Sequence, residues 1–157
     1  MTISYHVYHK LRVSIVRIFN TYGPRMKIDD GRVLPTFIKQ AASNKDLTVN
    51  GDGTQTRSFC YIDDLVNGII QLMNSEYSYP INIGNNDETT INEIASTLIS
   101  ILNSESKIIY NELPEDDPLK RKPDLTLAKK ILNWAPKIDK KDGFEMLIEY
   151  YKKNNLI

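Results

Sequence analysis

The chain has 157 residues, of which 41% are hydrophobic and 25% are charged, and its formal net charge is zero. This composition predicts one globular unit over residues 1–157 with a sizeable core. Acidic and basic residues are interspersed, so neither nucleic acid nor an anionic membrane surface is expected as a partner. The lone Cys60 excludes an internal disulfide and a structural zinc site, and it favours a reducing, cytoplasmic location. No apolar run approaches the ~20 residues that a membrane span needs.

The first half of the chain alternates between helical patterns and short apolar runs. Residues 1–10 are predicted to end a helix, and the β-branched run at 13–19 is typical of a strand buried on both faces. A single apolar stripe then predicts a helix, and two short strands are predicted at 47–49 and 59–62. The residues of that stripe are Leu34, Phe37, Ile38, Ala41 and Ala42.

The second half continues the alternation. Asp63 or Asp64 is predicted to cap a helix that carries Val66, Ile69, Ile70 and Met73 on one face. Thr90 and Glu93 have capping-box spacing at the head of another helix. Strands are predicted at 80–84 and 107–110, a polar loop at 112–123, a helix capped by Asp124 and a final helix from about Asp142. The fold class is therefore α/β, with two or three strands from the edge of a parallel sheet and about five helices.

Two segments rich in Gly, Asn and Arg stand out, Asn20–Arg32 and Asn50–Arg57. Asn20 and Thr21 follow directly on the predicted strand at 13–19, where open α/β sheets bind ligands. The second segment contains Gly51-Asp52-Gly53, a loop that lets the backbone approach a ligand closely, and ends at Arg57. A guanidinium group fits two phosphate oxygens, so this layout predicts two loops that face a phosphate ester. Asn20 as a simple turn former and Arg57 as an ordinary surface residue are the structural alternatives.

Read as one pattern, these segments resemble a known family. RIFNTYGPRM, DGRV, the GDGTQTRSF loop, PINIGN and DDPLKRKPD together are similar to the UDP-glucuronate decarboxylases (UDP-xylose synthases) of the extended short-chain dehydrogenase/reductase superfamily. The first and third of these motifs alone indicate only a nucleotide-sugar epimerase, dehydratase or decarboxylase. MKIDDGRV and DDPLKRKPD narrow the resemblance to the decarboxylase branch. It implies the C-terminal part of an extended Rossmann-type fold, with edge strands of a parallel sheet and a small helical substrate-binding subdomain.

The resemblance also shows what the chain lacks. The superfamily's dinucleotide site uses a GxxGxxG turn and its chemistry uses a Tyr-x-x-x-Lys pair, and neither pattern occurs in this sequence. The NAD cofactor of the family would therefore depend on an N-terminal half that this chain does not contain. Such a half is expected as a partner in cis or in trans, beside a UDP-sugar ligand and the homo-oligomers that full-length members form. The expectation is thus a truncated or split enzyme, inactive alone.

By resemblance, several residues acquire ligand roles. Arg121 is assigned to the UDP diphosphate together with Arg57, and Asp124 to the ribose hydroxyls, although Asp124 serves equally as a helix cap. Thr21 is placed beside the cofactor. The remaining substrate-binding candidates are Tyr5, Asn20 and Val49.

Arg32 is the catalytic candidate. In the family, nicotinamide oxidises C4 of the glucuronate ring, the β-keto acid loses CO₂, and the same cofactor reduces C4 to give UDP-xylose. An arginine near the ring would bind the carboxylate and then stabilise or protonate the enolate. Capping of the helix that starts near Leu34 is the structural alternative for Arg32.

Two other functions stay open beside the decarboxylase. One is a non-catalytic remnant or binding module that holds a UDP-sugar or a partner. The other is part of a related sugar-nucleotide 4,6-dehydratase or 4-epimerase, against which the DGRV insertion argues.

Overall fold

Helices and short strands alternate along the chain in the computed structural model, which describes residues 2–112 and 120–157. The helices are α1 (Thr2–His9), α2 (Val33–Ala42), α3 (Ile62–Asn74), α4 (Ile91–Leu102), α5 (Thr126–Leu132) and α6 (Lys140–Lys153). The strands are β1 (Ile15–Ile18), β2 (Thr21–Tyr22), β3 (Leu47–Asn50), β4 (Thr56–Arg57), β5 (Cys60–Tyr61), β6 (Pro80–Ile83), β7 (Thr89–Thr90), β8 (Ile108–Asn111) and β9 (Lys120–Arg121). The predicted α/β class is confirmed.

The chain divides into two compact units. The first comprises Met1–Thr21, Ser58–Asp87 and Lys122–Ile138, and the second comprises Tyr22–Arg57, Glu88–Arg121 and Asp139–Ile157. Each unit is built from segments that lie far apart in the sequence, so neither is a simple N-terminal or C-terminal domain. The single unit expected over residues 1–157 stays a prediction.

A two-stranded parallel sheet organises the first unit. Strands β1 and β6 pair with Ile15 opposite Pro80 and Ile18 opposite Ile83. Helices α3 and α5 pack on this pair and complete an apolar core, because strands of a parallel sheet need cover from helices. The core consists of Cys60, Leu65, Leu72, Ile81, Ile83, Leu125, Ala128 and Trp134.

Asp64 and Trp134 link α3 to the segment that follows α5 through hydrogen bonds. The Trp134 indole donates a hydrogen bond of 3.2 Å to the Asp64 carbonyl. The Asp64 carboxylate accepts bonds of 2.9 Å from the backbone N–H groups of Lys137 and Ile138. The prediction that Asp63 or Asp64 caps the helix is therefore wrong. The N-cap residue is Tyr61, and the Asp64 carboxylate binds the backbone of the segment that follows α5.

The apolar face predicted for α3 needs a correction. Leu65, Gly68 and Leu72 are buried, whereas Val66, Ile70 and Met73 are 45%, 50% and 62% exposed. The helix thus has two apolar faces, and only one of them meets the core. Gly68 allows the close approach on that side, because a Cβ there would collide with Ile83 and Trp134.

Strand β1 also differs from expectation. Ile15 and Val16 are half-buried, but Arg17 and Ile18 are exposed, so the prediction of burial on both faces is wrong. The reason is that β1 has a strand neighbour on one side only among the described residues.

The second unit contains two small sheets and three helices. Strand β3 pairs in parallel with β8, and β4 lies between the antiparallel β7 and the parallel β9. Helices α2, α4 and α6 bury the faces that their periodicity predicts, except that Ala42, at the end of the predicted α2 stripe, is exposed. Their buried residues include Leu34, Phe37, Ile38, Ile94, Leu98, Phe144, Leu147 and Tyr151.

Local signals at the helix ends explain several boundaries. The Thr90 hydroxyl accepts from the Glu93 backbone N–H and the Glu93 carboxylate accepts from the Thr90 N–H, which confirms the capping box of α4. Helix α6 starts earlier than predicted because Asp139 caps it. The N-cap position of α5 is Leu125, one residue later than predicted, but the Asp124 carboxylate accepts from the Thr126 N–H at 2.9 Å and so makes the capping contact that the sequence predicts. The predicted loop at 112–123 contains strand β9, and its residues 113–119 lie outside the described part.

Candidate functional site

Arg57 and Arg121 stand directly opposite each other in the second unit. Strands β4 and β9 run parallel, with Thr56 in register with Lys120 and Arg57 with Arg121. Residues in register on neighbouring strands lie roughly 4.8 Å apart and project to the same face. The two arginines predicted for a diphosphate are therefore brought together, although they lie 64 positions apart in the sequence (121 − 57). This pairing places two guanidinium groups on one face of the sheet.

The two arginines differ in exposure. Arg57 is only 9% exposed, and its Nη1 donates a 2.9 Å hydrogen bond to the Thr56 carbonyl. Arg121 is exposed. The alternative of an ordinary surface residue is thus wrong for Arg57. The buried Arg57 and the exposed Arg121 place two positive charges side by side, one in a fixed position and one open to solvent. This arrangement suits a ligand with two phosphate groups.

The Gly-rich loop before β4 is held from the head of α4. Asn92 donates from its side-chain amide to the Asp52 carbonyl at 2.9 Å and from its backbone N–H to the Gly53 carbonyl at 3.1 Å. Gly53 has a φ of +73°, and a Cβ on it would overlap the Asn92 amide. Gln55 is 7% exposed and donates to the Asn50 carbonyl at 2.6 Å. These hydrogen bonds therefore fix the conformation of the loop that precedes Arg57.

Asp52 adds a second constraint to the same loop. Its carboxylate accepts hydrogen bonds from the Thr54 hydroxyl at 2.6 Å and the Thr54 N–H at 2.9 Å. These bonds lower the pKa of Asp52, so it is ionised at neutral pH. Asp52 therefore adds a negative charge at the solvent-exposed side of the loop. Because this charge repels a phosphate, the attraction for a phosphate has to come from the arginines.

Arg32 is engaged with a carboxylate of its own loop. Its Nε donates to Asp30 at 2.5 Å, its backbone N–H donates to the same side chain at 3.0 Å, and the guanidinium forms an ion pair with it. Desolvation raises the pKa of Asp30, but the hydrogen bonds and charge of Arg32 outweigh it and lower that pKa. Arg32 is the N-cap residue of α2 but makes no side-chain capping bond. Its side chain is 60% exposed and already positioned to bind a carboxylate.

The first unit contains Asn20 and Thr21, just past β1. The Asn20 carbonyl accepts a 2.9 Å hydrogen bond from the Cys60 N–H, which fixes the end of β1 beside β5. The Thr21 hydroxyl donates to the Phe19 carbonyl at 2.8 Å. Both residues lie at the carboxyl end of the parallel pair, as predicted. The expected convergence of Asn20 with Arg32 and Arg57 stays a prediction.

The other candidates have less distinctive surroundings. Tyr5 lies on α1, is 50% exposed and packs its ring 5.2 Å from that of His9. Val49 is fully buried in β3, so only its backbone is available to a ligand. Asp124 accepts from the Thr126 hydroxyl at 2.6 Å, which lowers its pKa, and it borders an open cavity of about 580 Å³ that Lys122, Lys129 and Trp134 also line. The ligand roles of all three stay predictions.

Other chemistries find little support among residues 2–112 and 120–157. No group of three His, Cys, Asp or Glu side chains there is arranged to hold a metal ion. In the same described ranges no helix has the length and apolar character to cross a membrane. Burial raises the pKa of Cys60 to about 12, so its thiol stays protonated at neutral pH. The sequence contains neither GxxGxxG nor Tyr-x-x-x-Lys.

Sequence reasoning missed the residues that support the site rather than form it. Asn92 and Gln55 hold the Gly-rich loop, and Asp30 holds Arg32. For Asp30 a signal was present, because an Asp two residues before an Arg in a tight turn is a common local pair. For Asn92 there was none, since its partners lie 40 residues away in the sequence.

Curated proteins similar to this chain are decarboxylases. The chain is 48% identical over 148 residues to UDP-glucuronic acid decarboxylase 5 of Arabidopsis thaliana, which covers 94% of this chain and 43% of that protein. It is 43% identical over 153 residues to UDP-glucuronic acid decarboxylase 1 of Danio rerio, covering 98% of this chain and 37% of that protein. The chain therefore spans less than half the length of the curated relatives it matches.

Two solved structures with the same fold are sugar-nucleotide epimerases. UDP-glucose 4-epimerase of Thermotoga maritima, solved with UDP-glucose, matches with a TM-score of 0.92 at 27% identity, over 98% of this chain and 50% of that one. UDP-glucuronic acid 4-epimerase of Bacillus cereus, solved with UDP-glucuronic acid and NAD, matches with a TM-score of 0.87 at 31% identity, over 98% of this chain and 49% of that one. These matches confirm the extended Rossmann-type fold as the partial fold that the resemblance implied.

A family match agrees with both comparisons. The sequence model of the NAD dependent epimerase/dehydratase family matches residues 1–84, which is more than half of the 157 residues. That range contains β1, the Gly-rich loop and Arg57. The chain belongs to the NAD dependent epimerase/dehydratase family.

Proposed function

We propose that this chain is the UDP-sugar-binding part of a UDP-glucuronate decarboxylase, which converts UDP-glucuronate to UDP-xylose and CO₂. The support is that decarboxylases match it at 42–48% identity, whereas the UDP-glucuronic acid 4-epimerase of Bacillus cereus matches at 31%. Because the chain spans less than half of those decarboxylases, catalysis requires the half that it does not cover. NAD bound by that half would supply reversible oxidation at C4, and no hydride step is assigned to residues of this chain.

The observation that carries the proposal is the register of Arg57 with Arg121. Two arginines in register on adjacent parallel strands project to the same face of the sheet, where both can donate to one ligand. A diphosphate offers oxygens at two centres and a charge that both guanidinium groups can share. The Gly-rich loop held by Asn92 keeps Arg57 in place before a ligand arrives, which reduces the ordering cost of binding.

Arg32 has the catalytic role in this proposal. It binds the glucuronate carboxylate in exchange for Asp30, and after CO₂ leaves C5 its charge stabilises the enolate oxygen at C4. Because Asp30 occupies the guanidinium when no ligand is bound, the loop keeps Arg32 oriented without an uncompensated charge. The enolate then takes up one proton at C5, which restores the C4 ketone that is reduced to give the xylose ring.

Further contacts complete the proposed site. In the first unit, Tyr5, Asn20 and Asp124 are proposed as UDP-sugar contacts and Thr21 as a cofactor contact. In the second unit, the Val49 backbone is proposed as a UDP-sugar contact. The expected partner is an NAD-binding half, supplied in cis or in trans, and the complete enzyme is expected to be a homo-oligomer. A cytoplasmic location follows only from the single Cys60 and is part of the proposal.

The test is calorimetric or NMR titration of UDP and of NAD, separately, into the folded chain. Two charge-assisted contacts of about 1.5 to 3 kcal/mol each, less the cost of ordering loops, predict UDP affinity in the high micromolar range or weaker. NAD should not bind. Arg57→Ala should weaken UDP binding about tenfold or more, and Arg57→Lys should lose much of the same affinity because an ammonium lacks the guanidinium fork. Arg12→Lys, which changes an exposed arginine of the first unit, is the matched control.

The outcomes separate the candidate functions. Saturable UDP binding that depends on Arg57 supports a retained substrate half. Two results would favour the non-catalytic remnant. One is a well-folded chain that does not bind UDP, and the other is an Arg57→Ala variant that binds UDP as tightly as the native chain. The 4-epimerase alternative is addressed by product analysis once an NAD-binding half is present, since an epimerase releases no CO₂.

A further inference from the structure

Tyr151 carries a buried hydroxyl that packing in the second unit does not explain. The residue lies on α6 and is 0% exposed. Its hydroxyl oxygen has no hydrogen-bond partner among the residues that the structure describes. A buried hydroxyl without a partner lowers the stability of the folded chain, whereas a phenylalanine fills nearly the same space without that loss. The hydroxyl therefore points to a role other than filling the core.

The buried face of α6 packs against the segment that leads to Arg32. Near the start of the helix, the Tyr22 ring lies 5.3 Å from the Phe144 ring, edge to face. Tyr151 lies seven residues after Phe144 and therefore two turns further along the same face. Tyr22 and Asp30 belong to one stretch of the second unit, Tyr22–Arg57.

The charges of Asp30 and Arg32 act on the hydroxyl of Tyr151. Burial raises the pKa of Tyr151 to about 12, the negative charge of Asp30 adds to the rise, and the positive charge of Arg32 opposes it. The neighbouring Tyr150 also raises this pKa. Coulomb interactions weaken with distance, so the Asp30–Arg32 pair lies near the hydroxyl. At pH 7 Tyr151 is therefore a neutral donor close to a carboxylate.

Asp30 is the group that loses a partner in the proposed reaction. Its side chain is only 17% exposed, and the Arg32 guanidinium compensates its charge. The Arg32 backbone N–H donates to Oδ1 of Asp30, whereas the Arg32 side chain donates to Oδ2. When that side chain turns to a substrate carboxylate, Oδ2 loses its donor while Oδ1 keeps its own. A carboxylate oxygen with little access to water then needs another donor.

We propose that Tyr151 is a positioning residue whose hydroxyl donates to Oδ2 of Asp30 when Arg32 releases that atom to bind a carboxylate ligand. The hydroxyl is unpaired before the exchange and paired after it, so Tyr151 favours the state in which Arg32 is available to the ligand. Because the donor is neutral, it stabilises Asp30 without adding a charge that competes for the ligand carboxylate. The inference rests on the proposed role of Arg32 and names the residue that allows Arg32 to leave Asp30.

The first measurement uses the chain without a ligand. The carboxyl carbon of Asp30 is followed by NMR as a function of pH in Arg32→Ala, which frees Oδ2, and in the double variant Arg32→Ala/Tyr151→Phe. We expect a higher pKa of Asp30 in the double variant, because a hydrogen bond from the hydroxyl favours the ionised carboxylate. The matched control is Tyr150→Phe in the Arg32→Ala background, which removes the hydroxyl of the neighbouring tyrosine and should leave the pKa of Asp30 unchanged. Equal pKa values of Asp30 with and without the Tyr151 hydroxyl overturn the inference.

The second measurement compares the affinities of the chain for UDP-glucuronate and UDP-glucose by calorimetry. These ligands differ by a carboxylate against a hydroxymethyl group, so the ratio of their dissociation constants reports the contact with Arg32. Tyr151→Phe should lower the preference for UDP-glucuronate about three- to tenfold and leave the affinity for UDP-glucose within about twofold. Without a ligand, the same variant should be at least as stable as the native chain in urea unfolding, because it loses an unpaired hydroxyl.

The outcomes distinguish this inference from the proposed function. A Tyr151→Phe variant with lower stability and an unchanged ligand preference would show a merely structural residue and overturn the inference. A higher pKa of Asp30 in the double variant, together with a native chain that does not prefer UDP-glucuronate, would support the contact of Tyr151 with Asp30 and contradict the proposed substrate. The expected pKa difference together with the expected loss of preference supports both.

Discussion

Gly53 combines a left-handed backbone with a close side-chain neighbour. Its φ is +73° and its neighbour is the Asn92 amide. Gly53→Ala should lower the free energy of unfolding by about 1–2 kcal/mol for the left-handed backbone alone, with a further loss from the overlap with Asn92. The matched control is Gly31→Ala, where φ is +78° but no atom lies within 4 Å of the added methyl. The free energies of unfolding of both variants are compared by urea unfolding. Equal losses of stability in the two variants would mean that Asn92 does not constrain the loop.

Asp64 is a buried carboxylate with a structural task. It accepts two backbone N–H bonds from Lys137 and Ile138, and only 8% of the residue is exposed. Asp64→Asn should lower the unfolding free energy by about 1–3 kcal/mol, because an amide has one acceptor oxygen and brings donors without partners. Asp63→Asn, at the exposed neighbouring position, should change it by less than about 0.5 kcal/mol. Similar values for the two variants in thermal or chemical unfolding would contradict the role given to Asp64.

The contribution of the capping box at the start of α4 can be tested by measuring stability as a function of pH. The N–H and hydroxyl of Thr90 donate to Glu93, and these bonds lower the pKa of Glu93 below its ordinary value of 4.5. A lowered pKa means that the ionised carboxylate stabilises the folded state above pH 4.5, and that this contribution disappears as the pH falls through the lowered value. The stability of the native chain should therefore exceed that of Glu93→Gln at pH 7, and the difference should shrink below pH 4.5.

The control for that measurement is Glu105→Gln, an exposed position after the end of α4. Because its side chain lies outside the capping box, this substitution should change the free energy of unfolding by less than about 0.5 kcal/mol at pH 7. A Glu93→Gln difference that is independent of pH would show that the capping box acts only through neutral hydrogen bonds.

At the scale of the whole molecule, the missing dinucleotide motifs predict a chain without turnover. Loss of CO₂ from C5 requires a keto group at C4, and this sequence has neither GxxGxxG nor Tyr-x-x-x-Lys to support its formation. The purified chain with UDP-glucuronate and NAD should release no CO₂ above the background without protein. UDP-xylose detected by mass spectrometry in that sample would contradict this expectation. The complex with an NAD-binding half is the positive control.

Sequence patterns predicted helices α2, α4 and α6 well because their signals are local. The stripe of Leu34, Phe37 and Ile38 and the capping pair of Thr90 and Glu93 each lie within a few residues. The motifs also indicated the decarboxylase resemblance, with which the 43–48% identities agree. The burial of β1 and the buried face of α3 were not predictable in this way, because both depend on neighbours from distant segments.

The sequence by itself determined the α/β class, the places of the Gly-rich loop and of the candidate arginines, and the absence of a dinucleotide motif, since all of these are written in short patterns. Only the tertiary structure decided that Arg121 lies opposite Arg57, that Asn92 supports Gly53, and that an apolar stripe of α3 faces outward. The physical reason is that strand register and helix burial are set by which distant surfaces meet. A single sequence specifies its local conformations, but not directly the partners that those conformations find.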